Sequence, residues 1–253
     1  MRKYYNNRTT EILDEFSDLG RMSKCFETPI LHTQNTDHIC PEVFAEFLQD
    51  VYSSTDAPMV VDTSIIKGVP VFTMDELSKA LSCMRNRRGA DKFNVVAEMV
   101  KHAGVTFHIA LLEMYNDILK TGVVPCDWHI TVFTMLPKSG DLKDASNWRP
   151  IAILPVLYKV FARLLYHRLQ PILEEYQSHD QFGFRKDRRI DDVFAILENI
   201  IGKTNDWHIL LWLISLDLRK AFDRIQFGPL FGALRDQGVP EAYVQLLGLL
   251  YTN

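Results

Sequence analysis

The sequence predicts an α+β fold that is helix-rich in its N-terminal part, and three observations lead to this prediction. Apolar residues recur at helical spacing through much of residues 41–120. Two extended runs then lie at 130–136 and 148–154, separated by a polar turn. A third run, 209–214, is entirely apolar and too short for a helical core or a membrane span, so it indicates a strand buried on both faces.

Composition is that of a globular protein, with 47% hydrophobic and 24% charged residues among 253, and a formal net charge of −4. The charge is uneven: acidic residues dominate 1–70, whereas Lys and Arg outnumber Asp and Glu over 138–189. A basic segment in an acidic chain is a candidate anion-binding face. The four cysteines form no CxxC pair, and there is no signal-peptide or transmembrane run. We therefore expect an intracellular protein, nuclear or cytoplasmic, with reduced thiols and no membrane partner.

The N-terminal region is expected to be helical and to end in a linker. Residues 11–19 are compatible with one helix, and Pro41 opens an amphipathic stripe that extends to Val51. The Pro- and Gly-containing stretch 53–70 predicts a linker, so we divide the chain into regions 1–70 and 71–253.

Two helices after the linker carry recognisable end signals. Thr73 and Glu76 have the spacing of a capping box ahead of an apolar helical stripe. A longer helix is predicted from about Val105 to Lys120, with Gly122 at the position of a left-handed C-cap.

The extended runs 130–136 and 148–154 predict a hairpin that carries Lys138 at one shoulder and Arg149 at the other. Pro150 restricts the second strand to an edge. Two cations beside a flexible hairpin tip suit a phosphate clamp, because Arg supplies a fixed fork and Lys a mobile charge. Solvated surface charges are the alternative for either residue alone.

The next helix has an apolar stripe and an opposite face that carries Lys159 and Arg163. The loop that follows it contains Gln181, Phe184 and Arg185, a mixture of aromatic and basic residues that can stack on bases and neutralise phosphates. We predict that these five residues contact nucleic acid. For Lys159 and Arg163, the alternative is an ordinary solvated helix face.

Asp217 follows the apolar run 209–214, and Asp223 lies six residues further on. A carboxylate at the exit of a buried strand needs a compensating charge, for which a divalent metal ion is suitable. The alternative is that Asp217 caps a helix that begins there. Asp223 is interpreted as a structural or capping carboxylate.

Taken together, these pieces resemble the reverse transcriptases of non-LTR (LINE-type) retrotransposons, with group II intron enzymes as more distant relatives. The resemblance runs from about residue 72 to the C-terminus and rests on five short motifs in order: Leu136-Pro-Lys-Ser-Gly-Asp, Asn147-Trp-Arg-Pro-Ile, Tyr158-Lys159 with Arg168-Leu169, Gln181-Phe-Gly-Phe-Arg185, and Leu216-Asp-Leu-Arg-Lys-Ala-Phe-Asp-Arg. It implies a partial right-hand polymerase, with fingers over about 71–205 and an incomplete palm over 206–253, after a helical pre-polymerase region.

The resemblance also implies roles for individual residues. Asp217 would ligate two metal ions, and the backbone carbonyl of Leu218 would help to hold the ion bound to the triphosphate. Lys138 and Arg149 would clamp that triphosphate, and Phe222 would lie under the sugar, where it excludes a ribonucleotide 2′-OH. Phe222 as a core aromatic is compatible with this role. The implied cofactor is Mg²⁺, with Mn²⁺ as a substitute, in a complete polymerase only, and the implied partners are an RNA template, a DNA primer and a dNTP, with no small-molecule cofactor.

The sequence departs from the family pattern in two turns and in one absence. Arg88-Gly-Ala-Asp-Lys92 and Arg185-Lys-Asp-Arg-Arg189 stand where the family has turns richer in Pro or Gly, and no aromatic-x-Asp-Asp tetrapeptide occurs. We therefore expect a polymerase fragment that is inactive alone; an RNA-binding module and a maturase-like splicing cofactor are the alternatives. We also expect poor solubility, with protease resistance confined to about 73–176, because the strand at 209–214 would lack its neighbours.

Overall fold

The computed structural model of the chain describes residues 39–53, 59–218 and 220–251. The helix predicted over 11–19 therefore lies outside the described residues. Helices α1 to α9 are, in order, Pro41–Tyr52, Thr63–Ile66, Met74–Ser82, Ala97–His102, Val105–Thr121, Val156–Tyr176, Ile190–Asp206, Phe227–Asp236 and Glu241–Tyr251. Strands β1, Val132–Pro137, and β2, Trp148–Ile153, lie between α5 and α6. The predicted helix-rich α+β class is confirmed, and no described helix is long and apolar enough to cross a bilayer.

The main core is formed by α3, α5, α6 and α9, and its centre is aromatic. Phe161 of α6 is fully buried, and its ring centroid lies 5.3 Å from the rings of both Tyr115 and Trp128 and 5.7 Å from that of Phe72. Tyr115 donates its hydroxyl hydrogen to the carbonyl oxygen of Leu157 at 2.7 Å, so this buried polar group is satisfied. These contacts fix α6 against α5.

The predicted helix-end signals are present. Thr73 accepts from the Glu76 amide while the Glu76 carboxylate accepts from the Thr73 amide, which is the capping box at the start of α3. Gly122 ends α5 with φ 64°, and a Cβ at this position would lie 2.6 Å from a methyl carbon of Thr63. Glycine is therefore required there both by backbone conformation and by the close approach of α2.

Strands β1 and β2 form the predicted antiparallel hairpin, with Leu136 opposite Arg149 and Met135 opposite Pro150. Helix α1 packs on this hairpin, since the rings of Phe44 and Trp148 meet edge to face at 5.4 Å. The sheet has two strands in the described part of the chain, so both are edge strands, and Pro150 removes no ladder bond from a central strand.

The prediction of a strand at 209–214 is wrong. Residues 209–218 have no regular secondary structure, and the side chains of Trp212 and Ile214 are 82% and 84% exposed. An apolar run forms a buried strand only where neighbouring strands pair with it, and the described sheet contains β1 and β2 alone. The run is therefore an exposed apolar segment.

The C-terminal helix α9 belongs to the main core, although protease resistance was expected only over about residues 73–176. Leu246, Leu249 and Leu250 of α9 belong to the main core, together with Ile66 and Val69 from the stretch predicted as a linker. The core thus extends beyond residues 73–176 on both sides. The reason is long-range packing of α9 on α2, which local apolar periodicity does not reveal.

Arg168 of α6 ties the chain ahead of α3 to the core. Its guanidinium forms two hydrogen bonds with the Glu76 carboxylate, at 2.6 and 2.8 Å, and donates to the carbonyl oxygens of Pro70 and Val71. It also lies 4.3 Å from the centroid of the Phe72 ring. The hydrogen bond from Arg168 is the largest cause that holds the pKa of Glu76 below its usual value of 4.5.

Glu76→Gln is expected to lower the free energy of unfolding by about 1–2 kcal/mol at pH 7. Because the folded-state pKa of Glu76 is lowered, its contribution is present above the unfolded value near 4.5 and is lost as the pH falls through the folded value. Urea titrations at pH 7 and near pH 3 should therefore show the difference between wild type and variant shrinking. Glu175→Gln, which changes an exposed carboxylate on α6, is the control. A difference between wild type and the Glu76 variant that grows with acid would contradict the assignment.

Candidate functional site

A pocket of about 290 Å³ lies where the hairpin meets the turn at 220–224, and we call it the hairpin pocket. Lys138 directly follows β1, and its amide donates to the carbonyl oxygen of Asn147 at 2.7 Å, which closes the hairpin end. Arg149 lies on β2, and Phe222 lies in the turn. All three predicted nucleotide-binding residues line this pocket.

The other wall of the hairpin pocket comes from α1 and the turn. Phe47 and Val51 line it, and the Lys220 ammonium lies 3.8 Å from the centroid of the Phe47 ring. The Tyr52 hydroxyl donates to the Asp223 carboxylate at 3.0 Å. Burial raises the pKa of Tyr52 to about 12, with further contributions from this hydrogen bond and from the Asp223 charge. Asp223 thus has the structural contact expected of it.

Sequence reasoning missed the α1 residues of this pocket. Phe47 and Val51 belong to an amphipathic stripe, which predicts a buried face but not what that face packs against. Lys220 was also missed, although it lies in the same motif as Phe222. Only the three-dimensional arrangement shows that the helix, the hairpin and the turn meet.

Phe222 is exposed rather than part of the core, since its side chain is 74% accessible. Its ring meets that of Phe184 edge to face, with centroids 5.5 Å apart. The interpretation of Phe222 as a core aromatic is therefore wrong. The pair brings one residue predicted to contact the sugar next to one predicted to contact RNA.

Asp217 and Leu218 are not among the residues that line the hairpin pocket. Both are exposed and lie in the irregular segment, so Asp217 neither leaves a buried strand nor begins a helix. The desolvation argument for a compensating metal ion therefore does not apply to Asp217 here. Among the described residues, no three His, Cys, Asp or Glu side chains converge in a way that could hold a metal ion, and so they do not fit a two-metal centre.

A second pocket, of about 770 Å³, contains the predicted RNA-binding residues Lys159 and Arg163 of α6. Arg85 and Arg88, from the loop after α3, line the same pocket. We call it the basic pocket, because these four cations line it and none of its described lining residues is a carboxylate. Its described lining residues all differ from those of the hairpin pocket.

In the loop that follows α6, the three residues predicted to contact RNA have different surroundings. The Arg185 guanidinium binds the Glu174 carboxylate at 2.5 Å and donates to the carbonyl oxygens of Ser178 and Gln181. Its side chain is only 8% exposed, so the cation holds the loop together. Gln181 donates to the Gly183 carbonyl oxygen, whereas Phe184 is exposed.

Comparison with known proteins defines the class of this part of the chain. Residues 136–251 match the family model described as reverse transcriptase (RNA-dependent DNA polymerase). This span includes every residue predicted to bind nucleotide, metal or RNA. Residues 136–251 therefore belong to the reverse transcriptase family.

The similar proteins come from mobile elements, and they confirm the predicted resemblance to non-LTR (LINE-type) retrotransposons. The chain is 30% identical over 185 residues to the transposon TX1 uncharacterized 149 kDa protein of Xenopus laevis, which is 72% of this chain and 14% of that protein. It is 32% identical over 126 residues to the Pol polyprotein of a type-1 retrotransposable element R2 of Popillia japonica, covering 49% of this chain and 17% of that protein. It is 28% identical over 184 residues to the probable RNA-directed DNA polymerase from transposon BS of Drosophila melanogaster, covering 71% and 20%. The chain thus spans less than a quarter of each of these relatives.

Proposed function

We propose that the chain forms the fingers and the start of the palm of a right-hand polymerase, an RNA-directed DNA polymerase of a LINE-type mobile element. The observation that carries the proposal is that Lys138 and Arg149 of the hairpin line one pocket together with Phe222, which is distant from them in sequence. In this proposal Lys138 and Arg149 bind the triphosphate of a dNTP, and Phe222 lies against its sugar. RNA template and DNA primer are the macromolecular partners.

The residues of the hairpin pocket supply binding and orientation. Arg149 offers a planar fork for two phosphate oxygens, and Lys138 offers a mobile point charge. Lys220 adds a third cation to the pocket wall. A divalent ion, proposed to be Mg²⁺ with Mn²⁺ as a substitute, would stabilise the charge of the leaving pyrophosphate in a complete polymerase. Asp217 and the Leu218 carbonyl would hold it there, in an arrangement that the described residues do not form.

Binding of a dNTP to the 253-residue chain tests the proposal. Lys138→Gln and Arg149→Gln should each weaken dTTP binding roughly tenfold, because each removes a charge-assisted contact with phosphate. Titration calorimetry at low ionic strength would measure it. Lys143→Gln is the matched control, since Lys143 lies on the same hairpin, is exposed and does not line the pocket. Equal affinities for all three variants would contradict the proposed pocket.

Primer extension provides a separate prediction for the same chain. The 253 residues contain no aromatic-x-Asp-Asp tetrapeptide, and one carboxylate is insufficient to hold two metal ions. We expect no extension of a DNA primer on an RNA template in Mg²⁺ or Mn²⁺. Templated extension by the wild type that is abolished in Asp217→Asn would overturn this expectation.

A further inference from the structure

We propose that the basic pocket binds backbone phosphate groups of an RNA strand, with Arg85 and Arg88 acting together with Lys159 and Arg163. The inference rests on the proposed function and deepens it, because it assigns a ligand to a pocket that sequence patterns revealed only in part. Arg85 and Arg88 lie outside the basic segment 138–189 and outside the span that matches the family.

The four cations of the basic pocket differ in their ion pairing from Arg168 and Arg185, two other cations of α6 and the loop that follows it. Within the described ranges, none of the four cations forms an ion pair, whereas Arg168 and Arg185 are paired with Glu76 and Glu174. The first two carboxylates that follow the arginine loop, Asp91 and Glu98, are buried and accept hydrogen bonds from backbone amides. An open cavity with charge of a single sign attracts polyanions.

Lys159 is the cation with most to gain from an anion. Its side chain is half-buried, and this burial lowers the pKa of the ammonium, although the charge of Asp91 acts in the opposite direction. Burying a charge without a partner is costly, and a phosphate oxygen in the pocket would supply the partner. The same phosphate would stabilise the protonated form of Lys159.

The two sides of the basic pocket are held in place without a ligand. On one side, the Lys101 ammonium donates to the Met84 carbonyl oxygen and to the Asn86 amide oxygen, and Glu98 accepts from the Arg87 amide. These bonds come from α4 and fix the loop that carries Arg85 and Arg88.

Asp91 connects that loop to the other side of the pocket. One of its carboxylate oxygens accepts from the amides of Phe93 and Val95, and the other accepts from the Val156 amide at 2.8 Å. Val156 is the first residue of α6, the helix that carries Lys159 and Arg163. Because both sides of the pocket are already fixed, RNA binding would immobilise few additional groups, and the entropic cost of binding would be low.

Pocket size and lining favour a polynucleotide strand over an isolated phosphate. The volume of about 770 Å³ is well above the 290 Å³ of the hairpin pocket, to which we assign the nucleotide triphosphate. Tyr158 and Tyr166 line the basic pocket, and the Arg163 guanidinium lies 5.2 Å from the centroid of the Tyr166 ring. Aromatic rings among cations are the pattern that binds single strands by stacking and phosphate contact.

Fluorescence anisotropy of a labelled single-stranded RNA with the 253-residue chain measures the proposed contacts. If four phosphates are neutralised, affinity should fall with salt at a log–log slope of about −3. The Arg85→Gln/Arg88→Gln double variant should bind on the order of tenfold more weakly, with the slope reduced by about 1.4. Neither arginine side chain forms a hydrogen bond within the described residues, so the variant should fold, which a urea midpoint would verify. Lys203→Gln, an exposed cation of α7, should leave affinity and slope unchanged.

Cys83 gives a second measurement at the site itself, because this exposed free thiol lines the basic pocket. Bound RNA should slow its alkylation severalfold, as quantified by peptide mass spectrometry, whereas Cys40 and Cys126 are exposed thiols outside the pocket. Inorganic phosphate at the same total phosphate concentration should not protect Cys83.

The possible results separate this inference from the proposed function. If the double variant binds RNA as tightly as the wild type and Cys83 is unprotected, the assignment of RNA to the basic pocket is overturned. The prediction of dNTP binding in the hairpin pocket is not affected by that result. Equal protection by inorganic phosphate would overturn the assignment to a polynucleotide. Absence of any RNA binding would overturn the inference. Equal dTTP affinities for the Lys138, Arg149 and Lys143 variants, measured independently, would overturn the proposed function.

Discussion

Replacing Phe161 with alanine is expected to lower the free energy of unfolding by about 3–5 kcal/mol. Phe161 is fully buried at the centre of the main core, and its ring contacts those of Phe72, Tyr115 and Trp128. These large side chains lie on separate elements, so they cannot all collapse into the space left by the ring. The loss is a large part of the stability of about 5–15 kcal/mol that is typical of a domain.

Urea denaturation followed by tryptophan fluorescence would measure this loss, because Trp128 lies next to the substituted position. Phe194→Ala is the matched control: Phe194 on α7 is more than half exposed, so the same substitution there should cost less than about 1 kcal/mol. Similar losses for the two variants would show that the aromatic cluster is not the centre of the core.

Limited digestion with chymotrypsin is expected to cut first within residues 207–218 and to leave the two fragments associated. Trp207, Leu210 and Trp212 are exposed there, and no backbone hydrogen bond among the described residues beyond Ile209 holds the segment. Cleavage requires local opening, which costs little in such a segment. The fragments should remain together because α9 contributes Leu246, Leu249 and Leu250 to the main core.

Native size-exclusion chromatography of the digest would show whether the fragments co-elute, and denaturing gel electrophoresis would show that the chain is cut. Phe184, which is also highly exposed, provides an internal comparison. It should be cut later, because Arg185 binds Glu174 and the carbonyl oxygens of its own loop. Early release of the C-terminal fragment would contradict the packing of α9, and a first cut at Phe184 would contradict the order of opening.

The elements that could be predicted from the sequence are those specified by local chemistry. The capping box at Thr73, the glycine after α5 and the two extended runs around a polar turn each encode their structure within a few residues. Residues 209–214 show where this reasoning fails: the same apolar run suits a central strand or an exposed segment, depending on whether partner strands are present.

The candidate site was predictable as a set of residues but not as an arrangement. Motif resemblance selected Lys138, Arg149 and Phe222, whereas the wall formed by Phe47 and Val51 depends on how α1 packs against the hairpin. Arg185 shows the opposite case, because a carboxylate eleven residues earlier neutralises a cation that the pattern assigned to RNA. Charge patterns along the chain do not reveal such pairing.

The contact between Tyr52 and Asp223 shows that the hairpin pocket needs residues well before the matched span. The family match starts at residue 136, and the sequence division places a boundary at residue 70, yet α1 supplies one wall of the hairpin pocket. A shortened protein that started at residue 71 would retain Lys138 and Arg149 but would open the pocket to water on the side of Phe47 and Val51. Its Asp223 would lose the tyrosine hydroxyl, and Lys220 would lose the ring beneath it. The smallest piece that keeps all walls of this pocket therefore starts at or before Pro41, well ahead of Leu136, where the first of the five family motifs begins.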